Sequence, residues 1–165
     1  MSQSRSDDTD TVAAKSRVEF VHARIDSERW AIERGRVRRL IRSPQLTRIP
    51  RAPEPIAGAT EQGGTVTAVI DGRTLCGDSK GQRQQADGVL VVFDGPQLEQ
   101  RTGLLVDHVT GIESHSVDQI SAVAKKQPQT ASYHCARIDE TAWVLDPNRL
   151  IDAISTGDAS ANSDQ

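Results

Sequence analysis

The sequence predicts an all-β protein built as two small antiparallel barrels with a short C-terminal helix. Three observations predict it. Apolar residues recur in short runs of four to eight positions rich in Val, Ile and Thr, the signature of strands. Two-residue turn pairs such as Asp71-Gly72 and Asp139-Glu140 punctuate those runs. Finally, no strand candidate is followed by a long amphipathic helix and a further strand, which argues against a parallel βαβ sheet.

The elements follow in order. Residues 1–16 are rich in Ser, Asp and Thr and lack periodicity, so they are expected to be disordered, as is the tail from 156 to 165. Residues 18–25 form a strand candidate. Asp26-Ser27-Glu28 supplies turn chemistry, and Trp30-Ala31-Ile32 begins the return strand of a hairpin. Residues 37–41 read as a helical turn or another strand. The segment 43–58 carries four of the seven prolines (Pro44, Pro50, Pro53, Pro55) and reads as a stiff extended connection. Residues 66–70 alternate and end at the Asp71-Gly72 turn pair. The polar, Gly-rich stretch 77–88 is expected to separate the first barrel from the second. Residues 89–93 (VLVVF) are continuously apolar, as in a strand buried on both faces. Residues 104–109 follow as one strand, and residues 133–138 and 141–145 form a second hairpin about Asp139-Glu140. Asp146 before Pro147 is an N-cap with proline at the first helical position, and Leu150, Ile151 and Ile154 share one helix face.

Composition limits what such a chain can be. Of 165 residues, 36% are hydrophobic and only 3% aromatic, so the core is expected to be aliphatic. The longest apolar run is five residues, against roughly 20 for a bilayer span, and no signal-peptide pattern opens the chain. A cytoplasmic protein without membrane insertion is expected. Cys76 and Cys135 are far apart and outside any CxxC, and read as reduced apolar fillers. The four histidines, 22, 108, 115 and 134, show no ligand spacing, and neither a GxSxG nor a phosphate-loop lysine is present. No catalytic residue, metal or cofactor is assigned, and no enzymatic activity is expected. The formal charge is -3, yet sixteen arginines stand against four lysines, and seven of them fall between Arg34 and Arg51. That strip reads as a solvated or protein-binding face. Nucleic-acid binding is the lesser alternative, since the chain has few rings on which bases could stack.

Several segments also act together. They are the 18–32 hairpin, Val37, the run 46–58 (LTRIPRAPEPIAG), the run 64–73 (GTVTAVIDGR), the run 103–112 (GLLVDHVTGI) and the closing Trp143-Val144-Leu145-Asp146. In this order and spacing the chain resembles the CheW-like chemotaxis coupling domain over residues 17–155. The resemblance implies two five-stranded, SH3/OB-like barrels with a hydrophobic groove where they meet. It also implies a non-enzymatic adaptor between the cytoplasmic tips of methyl-accepting chemoreceptors and the regulatory domain of a CheA-type histidine kinase, able to pack against its own kind. Carried over by position, the expected partner-binding residues are Val37, Arg39, Arg48, Gly58, Gly63 and Asp71. For Val37, core and receptor-facing roles are both open. This chain departs from the pattern in four places. Arg39 stands where the family often has glutamate, and Gly63 where it often has arginine. Arg34 and Gly35 stand where apolar side chains are usual. A scaffold of the same fold with a different signalling partner is therefore the alternative.

Overall fold

The computed structural model describes residues 16–77, 87–95, 98–122 and 133–156. Eleven strands among them form two sheets. In chain order they are β1 (Arg17–Ile25), β2 (Glu28–Glu33), β3 (Val37–Arg42), β4 (Ile56–Gln62), β5 (Thr65–Asp71), β6 (Val89–Phe93), β7 (Thr102–Val106), β8 (His108–Ser116), β9 (Ile120–Ala122), β10 (His134–Ile138) and β11 (Ala142–Leu145). A short helix, α1 (Gly72–Leu75), follows β5, and α2 (Pro147–Thr156) closes the described chain.

One sheet has six strands in the order β8-β1-β2-β11-β10-β9, and the other five in the order β3-β6-β7-β5-β4. Each sheet is curled, because its two end strands are consecutive in the chain. Strands β8 and β9 are joined by a single 3-10 turn at Val117–Gln119, and the proline-rich arm that leaves β3 bridges β4 through Thr47 and Ala59. Pairing is antiparallel except once per sheet, where β11 runs parallel to β2 and β7 parallel to β5.

The five-stranded sheet is a contiguous insertion (β3 to β7) in the six-stranded one. The chain passes between the sheets at the 3-10 turn Arg34–Arg36 and at Asp107. The stretch 77–88, expected to divide the barrels, instead joins two strands of one sheet; its residues 78–86 lie outside the described residues, as do 1–15 and 157–165. Two further expectations change. Asp71 does not open a hairpin: its side chain accepts from the Arg73 backbone N–H at 3.1 Å and caps α1. Likewise, the 104–109 run is two strands broken at Asp107.

The hairpins follow turn chemistry. Gly63 and Gly64 have φ of 59° and 86°, and Asp139 and Glu140 have 46° and 60°, the positive values that the favoured two-residue turns require. Alternation then divides central strands between two cores. On β6, Leu90 and Val92 enter the interior of the five-stranded barrel with Leu46, Ala57, Val69 and Leu105. Val91 and Phe93 enter a larger cluster between the sheets with Ile25, Trp30, Ile70, Leu104 and the α2 residues Leu150 and Ile154. Phe20, Ala31, Ile138 and Val144 fill the six-stranded barrel.

His134 is buried in an aromatic box, stacked on Trp143 at 4.8 Å and edge-on to Trp30 and Tyr133. Neither ring nitrogen has a hydrogen-bond partner among the described residues, and burial pushes its pKa down to about 4. The unfolded chain, with an ordinary histidine near 6.5, therefore binds the proton first on acidification. Stability from this group is complete above pH 6.5 and falls between there and pH 4, by about 3 kcal/mol. Urea unfolding across that window should show the fall, and His134→Phe should flatten it.

Candidate functional site: a groove between the two sheets

The junction of the sheets leaves an open groove of about 1120 Å³. Its apolar floor comes from Val18 and Val21 of β1, Val37 and Leu40 of β3, and Val109 and Ile112 of β8. Its rim alternates in sign, with Arg17, Arg34 and Arg38 against Glu19, Glu33 and Asp94. Two floor side chains are unusually open for their size, Leu40 at 46% and Ile112 at 55%. Next to Leu40, it is Ile41 that turns into the five-stranded interior, against Leu90.

The rim arginines are held. Arg34 pairs with Glu19 at 3.0 Å and Arg38 with Asp94 at 3.0 Å. Arg36 donates to the Asp94 carbonyl at 2.9 Å and to the Asn148 side chain, and lies 3.8 Å from Asp146, so it ties the 3-10 turn to the start of α2. Three of the seven arginines in the basic strip are thus engaged by acidic or carbonyl groups, while Arg39, Arg42, Arg48 and Arg51 are exposed.

Of the six residues expected to bind partners, Val37 alone lines the groove. Arg39, Arg48 and Gly63 are exposed elsewhere, and Gly58 and Asp71 are buried in structural positions. Gly58 has φ of 152°, and a Cβ there would lie 2.8 Å from the Thr47 carbonyl oxygen. The close approach it permits is that of the chain's own proline-rich arm. Gly58→Ala should therefore lower stability by about 1–3 kcal/mol, read as a shifted urea midpoint.

The sequence reading missed how the 64–73 and 103–112 segments join. Arg73 of α1 donates to Asp107 at 2.9 Å, and the other Asp107 oxygen accepts from the Asp26 backbone N–H at 2.8 Å. Burial alone would raise the Asp107 carboxyl; these hydrogen bonds and the Arg73 charge outweigh it and hold the pKa below the usual carboxylate range. The pair clamps the chain where it passes from one sheet to the other. Replacing Asp107 by Ala should cost about 2 kcal/mol. Its contribution is present above pH 4 and is lost as pH falls through the lowered folded value. Denaturant melts of wild type and variant should converge in acid.

The two thiols suit packing more than reactivity: burial pushes Cys76 up to about 12 and also raises Cys135. The histidines, which show no ligand spacing along the sequence, are partly gathered by the fold. His22 and His134 are buried, and His22 meets His115 across β1 and β8. No helix among the described residues is long and apolar enough to cross a membrane.

The comparisons with known proteins agree with this architecture. A solved structure, the scaffolding protein TtCheW from Thermoanaerobacter tengcongensis, superposes with a TM-score of 0.66 at 20% identity, over 78% of this chain and 88% of that one. No curated protein is matched. The CheW-like domain profile matches residues 19–155, nearly the whole described body, and the chain therefore belongs to the CheW-like domain family.

Proposed function

We propose that this protein is a non-enzymatic signalling adaptor that couples the cytoplasmic tips of methyl-accepting chemoreceptors to a CheA-type histidine kinase. The observation that carries the reading is the inter-sheet groove, with Leu40 and Ile112 exposed on an apolar floor between paired charges. An exposed apolar trough with a polar rim is the shape that receives the apolar face of an amphipathic helix. The stiffness of two barrels fused through one core suits a part that transmits force and position. Contacts between copies in an array belong to the same proposal, as does action on the cytoplasmic side.

A second reading is favoured by Arg34 and Gly35, which line the groove where the family tends to carry apolar side chains. They make it more charged, and a rim charge alters partner choice and association rate. A scaffold of this fold for a different signalling partner would follow. Nucleic acid is less favoured, because Arg34, Arg36 and Arg38 are occupied within the protein.

Binding of the purified chain to a receptor-tip fragment and to a kinase regulatory domain tests the proposal. Micromolar or tighter binding is expected to both. Changing Leu40 and Ile112 together to Asp should weaken receptor binding at least tenfold with little change in melting temperature, since both residues are about half exposed. Absence of binding to either partner at micromolar protein would overturn the reading. Oligonucleotide binding that survives physiological salt would favour the nucleic-acid alternative.

A further inference from the structure

Strands β1 and β8 pair antiparallel with Val18 opposite His115, Phe20 opposite Glu113 and His22 opposite Gly111. The alternation of strand side chains puts all six positions on one face. Opposite His22 there is no side chain, and a Cβ built on Gly111 would meet nothing within 4 Å. The His22 imidazole is thus free to lean along the sheet toward His115. The two Nε2 atoms approach to 2.9 Å, and Glu113 Oε1 lies 3.5 Å from His115 Nε2 and 4.0 Å from His22 Nε2.

In the metal-free protein, one N–H···N hydrogen bond accounts for the 2.9 Å contact. It does not account for the carboxylate, which sits beside both nitrogens at the limit of hydrogen bonding or beyond. A triangle with these three edges has a centre about 2 Å from each corner, which is the zinc–nitrogen and zinc–oxygen bond length of roughly 2.0–2.2 Å. The three atoms can therefore contact one ion with little movement.

We propose that His22, His115 and Glu113 form a binding site for a divalent transition-metal ion, with Zn²⁺ favoured by two imidazoles and one carboxylate. On coordination the bridging proton moves to the Nδ1 of its own ring, so both Nε2 lone pairs face the ion. Exposure grades from the interior outward, with the side chains 9% exposed at His22, 14% at His115 and 59% at Glu113. The ion enters from the Glu113 side and keeps an open position for water. Burial, with smaller contributions from the His115 and Arg29 charges, lowers the His22 pKa against the opposing pull of Glu113. Arg29 opposes a cation here, and the Glu113 charge offsets it. Because β8 is the edge of its sheet, the ion would staple that edge to β1.

Calorimetric titration of the metal-free full chain with ZnCl₂ at pH 7.5 tests this, with a thermal melt at each end point. One ion per chain is expected, with a raised melting temperature. His115→Ala and the conservative Glu113→Gln should each weaken binding at least tenfold. His108→Ala, which removes an exposed histidine of the same strand, should leave affinity unchanged. Co²⁺ in place of Zn²⁺ should give the visible bands of a low-coordinate ion without a thiolate charge-transfer band, which excludes Cys76 and Cys135 as ligands. No stoichiometric binding, equal affinity in Glu113→Gln and wild type, loss in His108→Ala, or a thiolate band would each overturn the site.

Discussion

The apolar cluster between the two curled sheets is the contact on which the rest depends. Ile25, Trp30 and Ile32 from one sheet meet Ile70, Val91, Phe93 and Leu104 from the other, and α2 lays Leu150, Ala153 and Ile154 over the seam. Each Ile, Leu, Val or Phe side chain among them contributes about 1.5–3 kcal/mol when fully buried, more than an exposed ion pair. A small barrel has little interior of its own, and here each holds a cluster of only six buried apolar residues, Phe20 the largest of them. Sharing a third core makes the two barrels one body. The groove is the place where that seam opens to solvent, so its width is set by the core beneath it.

Polar contacts then fix how the barrels meet. Arg73 and Asp107 clamp one chain passage, and Arg36 with Asp94, Asn148 and Asp146 clamps the other. Both use arginine, whose planar fork can satisfy several acceptors at once while its stem lies against apolar neighbours. This gives a physical reason for an arginine-rich yet slightly acidic chain. Three of the seven arginines in the apparent basic strip are engaged by groups of the protein itself, and the other four face outward without such partners in the ion pairs described.

Much of the architecture was legible in the sequence because it is written locally. The run 89–93 lacks alternation since both of its faces are covered, and the Asp139-Glu140 turn and the Asp146-Pro147 helix start each depend on neighbouring residues alone. Asp71-Gly72 misled because Asp before Gly serves a helix cap as well as a hairpin turn, and only the chain beyond decides between them. Asp107 hid inside an apolar run because its partner, Arg73, lies on a different element. The site was less legible than the fold. Val37 came from the resemblance, whereas Ile112 and the pairing of His22 with His115 rest on register between strands some ninety residues apart, and Leu40 on its register with Val91 of β6. Gly58 was legible as a special backbone position, but the segment that presses against it is internal.

The nested order of the sheets has a consequence for synthesis. Strands β3 to β7 form a continuous stretch and can complete their own barrel while the remainder is still being made. Strands β1 and β2, although translated first, find their neighbours β8 and β11 only near the end. Until then Trp30 lacks its Tyr133 and His134 neighbours and the α2 residues of its cluster, and the outer edge of β1 is open. Such long-range pairing is slow and leaves a sticky intermediate. The nascent protein is therefore most exposed to aggregation and chaperone capture in the interval between release of β7 and arrival of β11.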